Sequence, residues 1–542
     1  MRGLKLNEKV FGASKGTPTE YKAMLFDIAT ELGEFFGSAL CNGMSKLVED
    51  LQGNFTVTSD GTTLINELYL RYKQPIASLL LEAGDCQGKN HGDLSKGTIV
   101  LACNLVLAGL ELLQQGLHPT VVKRGYATAM RVVLDNLDRL KQDMSLDAAT
   151  IKENVRTFLG QKLSKPVALH LATIVTDPFL AFVQRMARDG NWSRLSIDEL
   201  VVKLFDDLVM IIHVGGQITD SCIILGASIS KEPLFWKERW NAGTISRLDD
   251  LRIALVSGEL YLDKKKLDRV QVSVTSVEAQ GQFRAGLEDT WREKARKLLD
   301  MGVNVLVTEK GVDDALVSAL QAGTMPVLVF RRAKLEEMKR VARHVHATIV
   351  NDINTLEASD IGHADGIRLQ PMRKDMAFVF VNKNEQLHHE FVITGSMYGI
   401  CDAVKHHVTS AMKVQLRAVH GGVIDDYPFV FEDIARISRD GIHDLPGTKS
   451  ILACDAFLDA MVAAGHKAAV NEGIDYLERH EFVGSGCSVP VESIASMIEI
   501  ATATASKLLG VDGFVINKLG WEKRTGTHAH PEKETPRQEN GD

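Results

Sequence analysis

Asp85-Cys86-Gln87-Gly88-Lys89-Asn90-His91-Gly92-Asp93-Leu94-Ser95-Lys96-Gly97-Thr98 reads as a polar, Gly-containing loop, and its second half sets small, acidic, hydroxylated and basic groups side by side, immediately ahead of an apolar run from Ile99 to Leu113. A polar loop feeding a long helix in this way suits phosphate and metal. The first N–H groups of the helix have no partner within it, and the positive end of the helix dipole points at the ligand. The same composition also makes an ordinary helix cap, so the stretch alone leaves both readings open. A second group is Phe235, Trp236 and Trp240. The two tryptophans fall four apart, on one helical face, which either meets a protein partner or packs in a core. The pairs His388-His389 and His406-His407 invite a metal. Adjacent histidines on a helix diverge by about 100°, and no third ligand is evident, so the metal reading is the weaker one.

Composition narrows the classes. The chain of 542 residues is long enough for more than one domain and for large cores. At 45% hydrophobic and 24% charged it has the make-up of a soluble globular protein. A net charge of −8 and 6% aromatic residues give neither a basic footprint nor stacking platforms for nucleic acid. The 7 cysteines are scattered without CxxC spacing; an odd, unpaired set fits free thiols in a reducing cytoplasm. Cys401 and Cys487 read as small packing residues. The N-terminus lacks an apolar signal core, and Leu101–Leu113 is too short to span a membrane and carries Asn104 and Glu111, so no membrane partner is expected.

Several elements must position these groups. Residues 1–20 read as a polar extended arm, and Glu20–Glu49 as a long amphipathic helix interrupted at Gly43. Gly53–Thr63 reads as a β-hairpin turning at Ser59-Asp60-Gly61. Helices follow near Ile76–Ala83, from Ile99, and over Val121–Leu140, after the break at Gly116-Leu-His-Pro. Residues 145–212 remain helical. From Val214 short apolar runs appear at Ser221–Ile224, Ile253–Val256, Val270–Val274, Val303–Thr308, Pro326–Phe330 and Thr348–Val350. Helical patterns at Leu287–Met301 and Lys334–His344 lie between the later runs, which indicates an α/β region with a partly parallel sheet. Strands at Ala377–Asn382 and Glu390–Thr394 precede a return to helix from Ile400 to about residue 510. The tail from Trp521 is polar and reads as disordered. A helical, α/β, helical order suggests that the two ends build one domain around an inserted, hinged one.

On these residues the chain resembles the group II chaperonins, the archaeal thermosome and its eukaryotic cytosolic relative, over roughly residues 5–518. Asp60-Gly61-Thr62-Thr63-Leu64-Ile65 is similar to their Asn-Asp-Gly-Ala-Thr-Ile-Leu stretch, and Gly116-Leu-His-Pro-Thr with Gly125-Tyr126 to their His-Pro-Thr…Gly-Tyr. Val303–Asp314 resembles their Ala-Asn-Val-Val…Gln-Lys-Gly-Ile-Asp-Asp, and Val489-Pro-Val-Glu-Ser-Ile their Glu-Pro-Leu-Arg-Val-Lys. The resemblance implies a multidomain α and α/β fold: an equatorial nucleotide and ring-contact domain over 1–144 and 403–520, an intermediate hinge over 145–212 and 368–402, and an apical domain over 213–367. It further implies ATP and Mg²⁺ as cofactors, a homo- or hetero-oligomeric ring, unfolded client proteins as partners, and Phe235, Trp236 and Trp240 as client or lid contacts.

The resemblance also implies a nucleotide site, and this chain departs from its pattern. Where the family has Leu-Gly-Pro-Lys-Gly-Met, this chain has Ala39-Leu40-Cys41-Asn42-Gly43-Met44. Asp60-Gly61 is kept, with Asp60 the carboxylate that the family holds near the γ-phosphate and attacking water. Gly-Asp-Gly-Thr-Thr-Thr becomes Gly92-Asp93-Leu94-Ser95-Lys96-Gly97; Asp93 keeps the place of the Mg²⁺ ligand, but the hydroxyl row is mostly lost. The family's catalytic Asp aligns with Ser410, which is not a base at neutral pH, and Asp402 stands eight residues earlier. The glycine loop under the ribose aligns either with Asp426-Tyr427-Pro428-Phe429, whose side chains would fill the space, or with Gly421-Gly422. Glu481 replaces an Asp near the adenosine. Lys96 either pairs with Asp93 in a relic pocket or binds phosphate directly. The leading reading is a divergent chaperonin-like subunit with weak or absent ATP hydrolysis; an active ATP-dependent folding machine and a non-chaperone assembly scaffold are the alternatives.

Overall fold

The computed structural model describes residues 18–511, except 42, 50–54, 72–73, 235–249, 262–276, 323–326, 373–374, 383–388, 426, 428, 444–446 and 472–487. The expected arm, the Phe235–Trp240 segment, the strand at Val270–Val274 and the tail fall outside these residues. The chain forms two compact units, one from Met1–Met144 with Arg417–Asp542, the other from Ser145–Leu416.

The first unit is helical. Helices α1 (Pro18–Gly37), α2 (Gly61–Arg71), α3 (Pro75–His91), α4 (Ser95–Gln114) and α5 (Pro119–Leu137) come from its first segment. Its core is built on α4, where Ile99, Val100, Leu101, Ala102, Cys103, Leu105 and Val106 are all fully buried. A helix apolar on every side must be enclosed by others. The enclosing helices include α1 and α3 and, from the far end of the sequence, the helices Thr448–Asn471 and Val491–Leu509. Glycines let α3 come close to it. A methyl group at Gly84 would stand 2.6 Å from Ile99 Cδ1, and one at Gly88 2.4 Å from Ser95 Oγ.

Three expectations are corrected here. The helix expected over Glu20–Glu49 stops at Gly37, because the chain reverses: Met44 N–H donates to Ser38 O, and any side chain at Gly43 would lie 2.5 Å from that same oxygen. Apolar residues on either side of the reversal happen to keep helical spacing. The hairpin exists but lies upstream, β1 (Lys46–Glu49) against β2 (Phe55–Thr58) with Lys46 opposite Thr58. Ser59-Asp60-Gly61 is not its turn. Asp60 caps α2, its carboxylate accepting from Thr63 N–H at 3.0 Å, and Asp serves turns and N-caps equally well. Finally, Asp85–His91 is not loop. It is the last part of α3, held by an Asp85–Lys89 pair four residues apart, so the polar connection shrinks to Gly92-Asp93-Leu94.

The second unit opens with α6 (Ala148–Gly160), α7 (Lys165–Arg188) and α8 (Ile197–Asp207), the last entered through a Ser196–Glu199 capping box. The helix expected to reach residue 212 gives way to β3 (Leu208–Val214). Its run Val-Met-Ile-Ile-His-Val is β-branched and suits a strand better than a helix. Further strands are β4 (Cys222–Leu225), β5 (Ala227–Ile229), β6 (Leu251–Val256), β7 (Val305–Thr308), β8 (Leu328–Phe330), β9 (Ile349–Val350), β10 (Gly362–Ala364), β11 (Gly366–Met372), β12 (Asp375–Val381) and β13 (His389–Gly395). Helices α9 (Val277–Asp300), α10 (Asp314–Gln321) and α11 (Leu335–Val345) alternate with β7, β8 and β9. Strands β6, β7 and β8 run parallel in that order, β9 pairs parallel to β6, and β10 joins β6 antiparallel. Both faces are covered, with Ile253, Val305 and Phe330 facing one cluster and Ala254, Leu306 and Val329 the other. Two three-stranded sheets, β11-β12-β5 and β3-β13-β4, complete the described strands of this unit.

Helix α12 (Tyr398–Gly421) carries the chain back to the first unit, which adds β14 (Val423–Ile424), α13 (Val430–His443), α14 (Thr448–Asn471), β15 (Val489–Pro490) and α15 (Val491–Leu509). Contrary to expectation, α4 and α7 are long and apolar enough, by length and composition, to cross a membrane; α4 is mostly buried within its unit.

Candidate functional site

The N-terminus of α4 is where the sequence-derived residues meet. Gly92 closes α3 with φ +82°, its N–H donating to Gly88 O. Asp93 follows, its Oδ1 accepting from Leu94 N–H at 2.7 Å. Leu94 then sits at the N-cap position of α4 with φ +63° and no side-chain cap bond. A non-glycine residue in that left-handed region costs about 1 kcal/mol, and this is the place where the resemblance has glycine. Thr98 turns its hydroxyl back onto Leu94 O at 2.9 Å.

Lys96 organises the space in front of this turn. Its ammonium donates to the carbonyls of Ala39 and Ser59, the latter at 3.0 Å. Its stem crosses the start of α2, since a methyl group at Gly61 would stand 3.0 Å from Lys96 Cγ and 3.4 Å from Ser95 Cβ. Asp60 and Gly61 are therefore brought beside Ser95 and Lys96. The expected Lys96–Asp93 pair is not formed among the described residues: Asp93 binds its own chain neighbour, and the ammonium goes to backbone carbonyls.

The loop after α1 supplies Ala39, Leu40, Cys41 and Gly43. Leu40 is buried, and Cys41 has φ +48°. Proline holds φ near −65°, so the residue aligned with the family's proline follows a path that proline cannot take. Asn471, at the end of α14, holds this loop by donating to Gly37 O at 2.7 Å and Leu40 O at 3.1 Å. More than 400 positions separate these partners, and no pattern in the sequence pointed to the asparagine.

From the second segment, Tyr427 reaches α4. It is 6% exposed, stacks edge-on with Phe431 at 5.7 Å, and its hydroxyl lies 3.4 Å from where a methyl group at Gly97 would be. Gly421 and Gly422 have a different duty. Gly422 ends α12 with φ +81°, and a side chain there would strike Lys141 Cε at 2.6 Å and Gln142 O at 2.9 Å. Nearby, Arg417, 3% exposed, pairs with Glu492 at 3.0 Å and donates to Asn90 O, a buried link that sequence reading missed. Asp426 and Glu481 lie outside the described residues.

Ser410 belongs to the other unit. It sits on α12, 4% exposed, while Asp402 on the same helix is exposed. His406 and His407 hold their rings 5.9 Å apart. His389 is buried in β13, and burial lowers its pKa. Among the described residues no three His, Cys, Asp or Glu groups gather as a metal site would require.

Taken together, the first turn of α4 fits a magnesium–nucleotide complex poorly. One carboxylate caps α2, another binds Leu94 N–H, the Thr98 hydroxyl bonds the backbone, and the Lys96 ammonium is bound to the carbonyls of Ala39 and Ser59.

Comparison with known proteins gives the family. Residues 37–424 match the family model described as the TCP-1/cpn60 chaperonin family. The chain is 27% identical over 438 residues to the thermosome subunit beta of Thermococcus sp. (strain KS-8), covering 80% of this chain and 76% of the relative. It is 26% identical over 514 residues to the thermosome subunit alpha of Archaeoglobus fulgidus, covering 89% of each. To the thermosome subunit of Pyrococcus horikoshii it is 26% identical over 438 residues, covering 80% of this chain and 76% of the relative.

Proposed function

The chain belongs to the TCP-1/cpn60 chaperonin family, and from that premise we propose a divergent chaperonin-like subunit that binds non-native or partner proteins, with weak or absent ATP hydrolysis. The subunit works in the cytoplasm and joins a ring, alone or mixed with related subunits; relatives named as thermosome subunits support that assembly.

The observation that carries the reading is the loss of a base. A hydroxyl at residue 410 cannot take a proton from water at neutral pH, and it is buried on α12. The two carboxylates that survive from the family pattern are each engaged in local backbone hydrogen bonds, Asp60 with Thr63 and Asp93 with Leu94. Client binding does not need that base.

The test is ATP turnover by the purified full-length chain with Mg²⁺, beside Asp93→Ala. The expected rate is at, or only slightly above, the protein-free blank for both. Turnover in the wild type that disappears in Asp93→Ala would favour the working ATPase instead, with Asp93 holding the metal.

A further inference from the structure

Lys96 makes contacts that a relic would not need. Its ammonium meets two backbone carbonyls from segments 57 and 37 positions away, Ala39 O behind α1 and Ser59 O ahead of α2. Its stem packs across Gly61, and its own backbone opens α4. One side chain thus joins three segments at the point where they converge. An ammonium carries three donors, and bonds in which the donor is charged are the stronger class. Thr98 Oγ1 is bonded to Leu94 O, Ser95 Oγ lies against Gly88, and the Tyr427 hydroxyl lies against Gly97.

We propose that the Lys96 side chain is the site's own resident ligand: it holds the α1 exit, the α2 entry and the first turn of α4 in one arrangement without nucleotide. The inference rests on the reading above and concerns the regulation of the same site. A pocket that needs a bound nucleotide to fix its walls changes with the nucleotide state; a pocket tied by its own lysine does not. The subunit would therefore keep one arrangement whatever the nucleotide concentration.

The test uses thermal melting of the full chain, as wild type and as Lys96→Ala, with magnesium ADP as one probe and ethylammonium chloride as another, against sodium chloride. Ethylammonium supplies the missing cationic end in the space that the shortened side chain leaves. The wild-type midpoint should not move with magnesium ADP. Lys96→Ala should melt about 5 °C lower and recover at least half of that loss in ethylammonium. Should Lys96→Ala fail to fold, Lys96→Met keeps the stem over Gly61 and removes only the donors; it should show the same fall without recovery. A variant that melts like the wild type, or a fall in Lys96→Ala that ethylammonium leaves unchanged, overturns the inference. So does a wild-type midpoint that rises with magnesium ADP. ATP turnover by the wild type well above the protein-free blank, lost in Asp93→Ala, would instead defeat the proposed function, and the two failures are separate readouts.

Discussion

Glu390 carries a charge into a strand that is buried on both faces. It is 1% exposed on β13, which lies between β3 and β4 with all seven residues buried. Oε1 accepts from Ser228 N–H at 3.0 Å and Arg340 Nε at 2.9 Å, whereas Oε2 has no hydrogen-bond partner among the described residues. Burial raises its pKa, and Arg340 and Ser228 only partly offset that. The sign of the pH dependence follows. A carboxyl whose folded pKa is raised contributes stability that is full below its unfolded pKa and is lost as pH rises through the folded value. Relative to Glu390→Gln, which does not titrate, the wild type should lose stability between acid and neutral pH, read from urea midpoints at pH 5 and pH 8. A gap that moves the other way would mean that Arg340 outweighs burial. Glu390→Ala, which strands Arg340, should cost about 3 kcal/mol at pH 5 and less at pH 8. The strand itself was legible, since Glu390–Thr394 reads as one from its β-branched and aromatic residues. That it is central was not, because the partners of β13 come from residues 208–225.

At the scale of elements, glycine does two opposite things in this chain. Gly84 and Gly88 on α3 are there so that α4 can approach; a Cβ at Gly84 would lie 2.6 Å from Ile99 Cδ1 and 2.8 Å from Ser95 O. Gly286 on α9 is exposed with nothing within 4 Å of a Cβ. Alanine is intrinsically better than glycine in a helix interior by about 1 kcal/mol. Gly286→Ala should therefore stabilise by about 0.5–1 kcal/mol. At Gly84 the same gain meets overpacking against backbone, and Gly84→Ala should destabilise by about 1–2 kcal/mol. Denaturant midpoints against the wild type decide it; shifts of the same sign would mean that α3 can move away from α4 freely. Sequence alone showed the polar residues of Asp85–His91 and suggested a loop. What makes them helix is the packing that Gly84 and Gly88 permit, together with buried Gln87, whose amide donates to Ser493 O at 2.9 Å. The N-terminus of α4 was legible as a place where chemistry gathers, because Gly, Asp, Ser and Lys next to an apolar run are local signals. The link from Lys96 to Ala39 and Ser59 was not, since it is set by how distant segments converge.

Over the whole molecule, the order helical, α/β, helical suggests in the sequence that one part is inserted into another; the chain forms two compact units, Met1–Met144 with Arg417–Asp542 and Ser145–Leu416. The unit formed by the chain ends depends on both of them. Tyr21 donates to Leu508 O at 3.1 Å, Asn104 to Ala460 O at 3.2 Å, and α4 is enclosed in part by α14 and α15. Residues 1–144 alone would leave that face of α4 exposed, a large apolar loss at about 25 cal/mol per Å². Ser145–Leu416 is different, because it is continuous and owns the sheet through β6, with a core on each face. The cut after Leu416 falls inside α12 and removes Arg417–Gly421, whose buried arginine pairs within the other unit. A fragment of residues 145–416 should therefore fold by itself and melt in one cooperative step, with near-ultraviolet circular dichroism showing fixed aromatic packing around Phe330, Phe378 and Phe380. A fragment of residues 1–144 should show neither. If 145–416 kept its helices but lost that aromatic signal, its cores would depend on the chain ends, and the insertion would be a feature of the sequence order without being an independent folding unit.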